Sequence, residues 1–380
     1  MSSHPTSSLD TLIIGAGPAG CAAAFHLASR GRAVALLERD PSGRGKACGG
    51  GMAASVQRWF PFDLSPAVEQ VIQEVRFTWA LEDPVRATLP GEAPFWIVRR
   101  SVLDGFLAER AAAAGAALHY ATAAESVQRH GEGWQVVDEH GTCWQARSLL
   151  IANGSGSPWA SQLGLGPPRP RYASTLSVEV EGPVLEPGLA SFDFGLVPQG
   201  FCWAFPRLQG YSIGVGTFIG KEEVNAEAVL QRLLPFLGLP ANAGQRQPAR
   251  LRIWDGQHPL DAPGVLVAGD AASLCDPFLA EGLRPALRSG CEAAFALDAW
   301  LGGDPKALQG YTATMKQCWG DSMAWGKRIA QVFYRLPRVG YQLGIKRPTA
   351  PQRIAQILSG EMGYGDIAQR VIKRLLFQRG

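Results

Sequence analysis

The sequence predicts an α/β fold in which a Rossmann-like parallel-sheet domain is joined to an antiparallel β-sheet domain and a helical C-terminal region. Three observations predict it. A strand, a glycine-rich turn, a helix and a second strand follow one another over residues 11–40. Residues 72–98 and 171–254 alternate aromatic, β-branched and polar side chains between Pro/Gly turns, which is typical of an antiparallel sheet. After Gly303 the pattern becomes helical.

Composition limits the classes of protein to which the chain can belong. Its 380 residues are 46% hydrophobic and 18% charged, as in a globular protein large enough for several domains. The net charge of +3 is too small to indicate nucleic acid, and six histidines without HxxxH spacing predict no metal site. Seven scattered cysteines, no signal-peptide core and no apolar run of ~18 residues predict a cytoplasmic protein, which we expect to be a monomer.

The first glycine-rich turn has the G-x-G-x-x-G order of a dinucleotide site. Gly15 allows the tight turn, Gly17 lets the backbone approach a pyrophosphate, and Gly20 lets helix and strand pack closely. The helix that begins at Pro18 directs its positive end at the phosphates. Glu38 follows 18 residues after Gly20, near the ~20 expected of an acid that binds a ribose 2′-hydroxyl. The unit therefore predicts FAD or NAD rather than NADP.

The run GVLVAGDAASLCDPFLAEGLRPALRSGCEAAFAL, residues 264–297, contains a strand, Gly269–Asp270 and a helix. It resembles the second flavin motif of the large FAD-dependent family that includes p-hydroxybenzoate hydroxylase, flavin halogenases and geranylgeranyl reductases. The resemblance implies that the cofactor is FAD and that Asp270 binds its ribityl hydroxyls. It also implies that the motif's loop residues lie beside the flavin ring: Pro277, Gly282 and Leu283.

Two further segments resemble this family. VRRSVLDGFLAERAAAAGA, residues 98–116, is similar to its R-x-x-L-x-x-x-L helix, which implies that Arg100 lies near the FAD phosphates; a solvated helix-start arginine is the alternative. LLIANGSGS has Asn153 and Gly154 where the family often has an acid and glycine. Asn153 can still form hydrogen bonds, so FAD binding is retained, but this departure puts the docking of the electron donor in doubt.

GKACGGGM, residues 45–52, resembles the K-x-C-G-G-G loop of geranylgeranyl reductases. The resemblance implies that the flavin ring lies against the glycines and that Cys48 is within reach of its reacting face. A thiol of ordinary pKa ~8.5 is protonated at neutral pH and can donate a proton, so Cys48 is the candidate catalytic residue. A buried structural cysteine is the alternative. The full predicted cofactor set is Gly15, Gly17, Pro18, Ala19, Gly20, Glu38, Arg39, Lys46, Ala47, Cys48, Gly49, Gly50, Arg100, Asn153, Gly154, Gly269, Asp270, Pro277, Gly282 and Leu283.

GFCWAFPRLQGYSIGVG, residues 200–216, resembles the Y-x-W-x-F-P strand of the same reductases, with Phe201 in place of the tyrosine. Trp203 and Phe205 alternate along this strand, so both face one side of a sheet. We predict that they line a hydrophobic substrate pocket, and plain sheet core is the alternative.

The FAD-binding domain is predicted to be discontinuous, because the antiparallel-sheet segments interrupt it. The predicted division is 9–71, 99–170 and 255–303 for FAD binding, 72–98 and 171–254 for the substrate domain, and 304–380 for the C-terminal helical region.

From Lys327 onward the chain is strongly basic, with only Glu361 and Asp366 as acids. Apolar residues lie among these cations: Ile329, Val332, Phe333, Tyr334, Leu336, Ile354, Ile357 and Leu358. The region suits peripheral contact with an anionic membrane, and a solvated helical face is the alternative.

The resemblance as a whole implies an FAD-dependent reductase that saturates carbon–carbon double bonds of a polyprenyl, geranylgeranyl-type chain. The substrate would be a prenylated lipid, quinone or chlorophyll-like molecule, and the electrons would come from NADPH or ferredoxin. Two alternatives remain at this stage: a flavin-dependent monooxygenase or halogenase, and a non-catalytic prenyl-binding flavoprotein.

Overall fold

The computed structural model describes residues 9–43, 45–218, 224–367 and 369. Its strands, in chain order, are β1 (Leu9–Ile14), β2 (Val34–Leu37), β3 (Gly51–Ala53), β4 (Val68–Ile72), β5 (Glu74–Trp79), β6 (Glu82–Thr88), β7 (Phe95–Val98), β8 (Ala117–His119), β9 (Ala124–His130), β10 (Gly133–Asp138), β11 (Cys143–Ile151), β12 (Arg171–Val180), β13 (Leu189–Phe194), β14 (Gly200–Arg207), β15 (Gly210–Thr217), β16 (Gln247–Ile253), β17 (Asp261–Ala262) and β18 (Val265–Val267). Its α-helices are α1 (Pro18–Ala28), α2 (Arg100–Ala113), α3 (Trp159–Gln162), α4 (Ala226–Phe236), α5 (Leu283–Leu301), α6 (Ala307–Met315), α7 (Asp321–Arg335), α8 (Pro337–Gly344) and α9 (Ala350–Leu358).

The first sheet is parallel at its centre, where β1 pairs in parallel with both β2 and β11, and β11 with β18. The order is β17-β18-β11-β1-β2-β8, and β10 and β9 extend it antiparallel from β11. All four residues of β2 are buried, as expected of a parallel strand covered on both faces. Helices α1 and α5 pack closely together, because a Cβ at Gly290 would lie 2.2 Å from the carbonyl oxygen of Ala19.

The second sheet has the order β16-β12-β15-β14-β13-β5-β6. Its pairs are antiparallel except for β13 and β5, which run in parallel. The exception arises because the chain leaves this sheet after β6 and returns only at β12, so no hairpin dictates the direction of β13 relative to β5. Residues 95–98, assigned to this sheet from the sequence, instead form β7 of a separate three-stranded sheet with β3 and β4.

The predicted α/β fold class is confirmed, with a parallel sheet, a largely antiparallel sheet and a helical C-terminal region. The exact domain limits stay a prediction. Buried tyrosines fix the C-terminal helices to the second sheet and to the loop that follows β18. The Tyr341 hydroxyl donates to the carbonyl of Asp83 at 2.6 Å, and the Tyr334 hydroxyl donates to that of Phe278 at 2.8 Å.

The apolar residues in the basic C-terminal segment differ in exposure. The last four cations of the segment lie outside the described residues: Arg370, Lys373, Arg374 and Arg379. Most of the apolar residues that we associated with a membrane are buried, namely Phe333, Tyr334, Ile354, Ile357 and Leu358, because they pack within the protein core. In the described part of the chain, no helix has both the length and the apolar character to cross a bilayer.

Candidate active site

A cleft of about 470 Å³ opens at the carboxyl ends of the parallel strands, the edge at which α/β sheets bind ligands. One wall comes from the turns that follow β1, β2, β11 and β18, and the other from the second sheet. The residues predicted for the site line this cleft, with two exceptions, Gly20 and Pro277.

At one end of the cleft the first glycine turn presents its backbone to open space. Gly15 has φ +105°, and a Cβ there would lie 2.6 Å from the Ala152 carbonyl oxygen. A Cβ at Gly20 would lie 1.9 Å from the oxygen of Gly15, so Gly20 serves helix–strand packing and does not face the cleft. Beside Gly17 no atom lies within 4 Å of the Cβ position, and α1 has no side-chain cap. Uncapped N–H groups that face a cleft fit a pyrophosphate.

Glu38 lies at the end of β2 and organises this turn. Its Oε2 accepts from the backbone N–H of Ala16 at 2.9 Å, and Oε1 accepts from that of Asp40 at 3.1 Å. Because each carboxylate oxygen has two lone pairs, the side chain can still accept from ribose hydroxyls while it holds the turn. Arg39, which follows, is exposed at the rim of the cleft.

Arg100 begins α2 and is buried beside the cleft. It forms a bidentate pair with Asp104, with Nε to Oδ1 at 2.8 Å and Nη2 to Oδ2 at 2.6 Å. Burial lowers the pKa of Arg100, but the carboxylate of Asp104 more than offsets it and the pKa is raised overall. The guanidinium therefore stays charged, and only its remaining N–H groups are free to meet a phosphate.

Lys46 and Asp270 join two loops that are 224 residues apart in the chain, with Nζ 3.3 Å from Oδ2. Beside them, the Oδ1 of Asn153 is buried and has no hydrogen-bond partner among the described residues. A buried acceptor of this kind is normally satisfied, and a bound ligand that donates a hydrogen bond would satisfy it. The open backbone at Gly17 and the unsatisfied acceptor at Asn153 thus both fit a dinucleotide in this cleft.

The loop that carries Cys48, residues 45–50, is called the cysteine loop here, and it packs against the aromatic side chains of β14. A Cβ at Gly49 would be 3.1 Å from both Trp203 Nε1 and Phe205 Cε2. Gly50 has φ +81°, and a Cβ there would be 2.1 Å from the carbonyl oxygen of Val98. Packing within the protein therefore already requires these glycines, a role that sequence analysis missed. Cys48 is half-buried, and its Sγ accepts from the Gly50 N–H at 3.3 Å.

Beyond Cys48 the cleft is mostly apolar. Trp203 and Phe205 both line it, and Cys202 and Ala204 face another core cluster, as the predicted alternation requires. The other apolar residues of this wall, most of them not predicted from the sequence, are Phe95, Phe192, Phe201, Phe218, Leu251, Leu279, Ala280 and Leu358. The alternation in SFDF of β13 could have pointed to Phe192, but Leu251 and Leu358 carry no local signal.

Pro277 lies outside the cleft because its turn folds inward. The Asp276 carboxylate accepts from the N–H groups of Phe278 and Leu279, both at 2.7 Å, and its burial raises its pKa. Phe278 then packs against Phe333 with ring centroids 5.3 Å apart. The loop presents Leu279 to Leu283 to the cleft instead.

The fold and the cleft define a dinucleotide-binding protein, and comparisons with known proteins define it further. The model of the FAD dependent oxidoreductase family matches residues 10–85 and 95–279. Digeranylgeranylglycerophospholipid reductase 2 of Methanothermobacter thermautotrophicus is 31% identical, over 72% of this chain and 74% of its own length. The chain therefore belongs to the FAD-dependent oxidoreductases and, among them, to the geranylgeranyl reductase family.

Solved structures show the same fold. A geranylgeranyl bacteriochlorophyll reductase-like protein from Thermoplasma acidophilum aligns with a TM-score of 0.77 and 21% identity, covering 93% of this chain and 92% of its own. The flavin-dependent brominase Bmp2 aligns with a TM-score of 0.71 and 20% identity, over 98% of this chain and all of its own. At these identities the likeness concerns the fold alone. The protein is an FAD-dependent oxidoreductase of the geranylgeranyl reductase type.

Proposed function

We propose that the protein saturates carbon–carbon double bonds of a polyprenyl chain carried by a lipid, quinone or chlorophyll-like headgroup, with FAD reduced by NADPH or ferredoxin. The apolar wall of the cleft carries this proposal. Beyond Cys48 the lining residues are mostly aromatic or aliphatic, with Thr175 and Glu281 as polar exceptions, which suits a hydrocarbon and offers few partners to a polar substrate. Several curated relatives are named digeranylgeranylglycerophospholipid reductases, and these names support the same substrate class.

The residues of the polar end would hold the cofactor. The first turn of α1 and Gly17 would hold the pyrophosphate, Glu38 the ribose, and Asp270 with Lys46 the ribityl chain. When bound and reduced, FAD supplies a hydride. The positioning of the alkene and a proton for its second carbon are what the side chains of this protein can supply.

An isolated alkene is a poor electrophile, so the cleft has to position it closely and exclude water. Trp203 and Phe205 are each only 7% exposed and pack against Gly49. They would give a bound prenyl chain a rigid wall without water beside the cysteine loop. Saturation adds a hydride to one alkene carbon and a proton to the other. The Cys48 thiol, half-buried at the junction of the polar and apolar ends, is our candidate donor of that proton.

The test compares Cys48→Ala with Cys318→Ala, which alters an exposed thiol away from the cleft. Each FAD-loaded protein is photoreduced without oxygen and mixed with a geranylgeranylated phospholipid. We expect Cys48→Ala to keep its bound FAD but lose more than about 100-fold of the rate of flavin reoxidation by the lipid. Mass spectrometry should find a gain of two hydrogens per double bond with the unaltered protein and with Cys318→Ala.

Two results would overturn parts of this proposal. Equal rates for the two variants would remove Cys48 from the chemistry. Reduced flavin that ignores every prenyl acceptor, but consumes oxygen when an aromatic substrate or a halide is supplied, would replace the reductase with a monooxygenase or halogenase on the same fold.

A further inference from the structure

Four large apolar side chains are exposed close together where α7 meets α8. Val332 is 72% exposed, Leu336 59%, Val339 50% and Leu343 54%. We refer to these four residues as the 332–343 patch. Single exposed apolar residues are ordinary on protein surfaces, whereas several on neighbouring helical turns indicate an interaction site.

The geometry of the two helices keeps the patch outward. Val339 and Leu343 are four apart in α8 and so share a helix face, whereas Val332 lies in the last turn of α7 and Leu336 is the residue that joins the two helices. The opposite faces are fixed in the core by Phe333, Tyr334 and Tyr341, all of them buried. The helices meet closely, because a Cβ at Gly340 would lie 2.7 Å from Cδ2 of Phe333. The patch cannot turn inward without breaking this core.

The charge of the chain segment that carries the patch is of one sign. Residues 322–360 contain seven Lys or Arg residues and no Asp or Glu. The exposed cations among them are Arg328, Arg335, Arg338, Lys346 and Arg347. Lys346 is paired with Asp83 of β6 at 2.7 Å. The arginines carry long side chains that can keep their charge in water while the aliphatic residues beside them enter an apolar phase.

The patch is also connected to the cleft wall. Tyr334, next to Phe333 on the inner side of α7, has its ring centroid 6.1 Å from that of Phe218, and Phe218 lines the cleft. A bound surface at the patch would therefore lie near the apolar end of the cleft, on the outer side of α7. This choice of surface rests on the proposed function, since prenyl chains of lipids reside in bilayers.

We propose that the 332–343 patch and its arginines form a docking surface for an anionic phospholipid bilayer. The aliphatic side chains enter the interface and the arginines attract the negative headgroups. Docking at this corner places the apolar end of the cleft next to the source of its substrate.

The test uses the full-length, FAD-loaded protein and flotation with vesicles of phosphatidylcholine, with or without roughly 30% phosphatidylglycerol. The patch variant carries Val332→Ser, Leu336→Ser, Val339→Ser and Leu343→Ser. The matched control carries Leu185→Ser and Leu208→Ser, which change residues 70% and 73% exposed elsewhere on the surface. A third variant carries Arg335→Gln and Arg338→Gln.

We expect the unaltered protein and the control to float with the anionic vesicles, and the patch variant to bind more than about tenfold more weakly. The arginine variant should bind weakly, and its binding should depend less on salt. Reduction of a short, detergent-solubilised prenyl substrate should be unchanged in the patch variant. Flotation measures binding without catalysis, so it tests the docking surface even if the protein does not reduce prenyl chains.

Absence of flotation by the unaltered protein, or equal losses in patch variant and control, would overturn the proposal. So would light scattering that shows a dimer in solution which the patch variant converts to a monomer, because the patch would then bind a second copy of the chain.

Discussion

At the scale of single residues, Gly50 in the cysteine loop and Gly43 just before it show two separate reasons why a position requires glycine. Gly50 combines a φ of +81° with a Cβ position 2.1 Å from a backbone oxygen. Gly43 has nearly the same φ, +79°, but open space around its Cβ position. Comparing alanine substitutions at these two positions therefore separates the free-energy cost of the left-handed backbone from that of the steric clash.

We expect Gly43→Ala to cost about 1 kcal/mol of stability, the ordinary penalty for a left-handed alanine. Gly50→Ala should cost more than about 3 kcal/mol, because the backbone of β7 cannot move aside cheaply. Thermal unfolding of the two variants measures the difference, and FAD fluorescence reports on the cleft. Similar losses in both would mean that the loop relaxes away from Val98.

At the scale of elements, the structure departs from the sequence-based expectation at the junction of β5, β6 and β13. Ala80 and Leu81 have φ of +53° and +70°, which strains a turn without glycine. The Asp193 carboxylate of β13 holds this turn, accepting from the Thr78 hydroxyl at 2.7 Å and the Leu81 N–H at 2.6 Å. Such a long-range bond leaves no local signal in the sequence, whereas the alternation in β14 was readable because neighbouring residues carry it.

Burial raises the pKa of Asp193 from 3.8 to about 6, so this group favours folding most when it is protonated. Stability contributed by the protonated form is fully present below pH 3.8 and is lost as the pH rises through 6, a difference of about 3 kcal/mol. Asp193→Asn keeps an acceptor for both bonds and removes the charge. We expect its stability relative to the unaltered protein to increase between pH 4 and 6 and then level off. Urea unfolding measures the difference in unfolding free energy between the two proteins. If that difference does not vary with pH, the pKa of Asp193 is not raised by burial.

At the scale of the whole molecule, Arg252 of β16 connects the two large sheets. It is 4% exposed and donates to the Ala271 carbonyl at 3.2 Å and to the carbonyl of Ser157, both in loops of the FAD-binding region. The glycine turn, the acid at the end of β2 and the second flavin loop were predictable because each is a local motif. The apolar wall and this joint were not, since they arise only when distant segments meet.

Arg252→Leu should lower the melting temperature by more than about 5 °C and weaken FAD binding, because it leaves two buried carbonyls without a donor. Arg250→Leu is the matched control on the same strand, since Arg250 is exposed and stacks on Tyr172 at 4.0 Å. Its effect should stay within about 1 kcal/mol. If the two leucine variants have the same melting temperature and the same affinity for FAD, other contacts hold the two sheets together.

The position of β1 in the middle of its sheet has a consequence for synthesis. Among the strands of its sheet, β1 leaves the ribosome first, yet one of its two neighbours, β11, ends at Ile151, and the last wall residue of the cleft is Leu358. Parallel pairing over such separations is slow to form. The complete cleft therefore exists only once the chain has been made as far as Leu358, and a nascent chain that stalls before Ile151 leaves one edge of the apolar β1 unpaired.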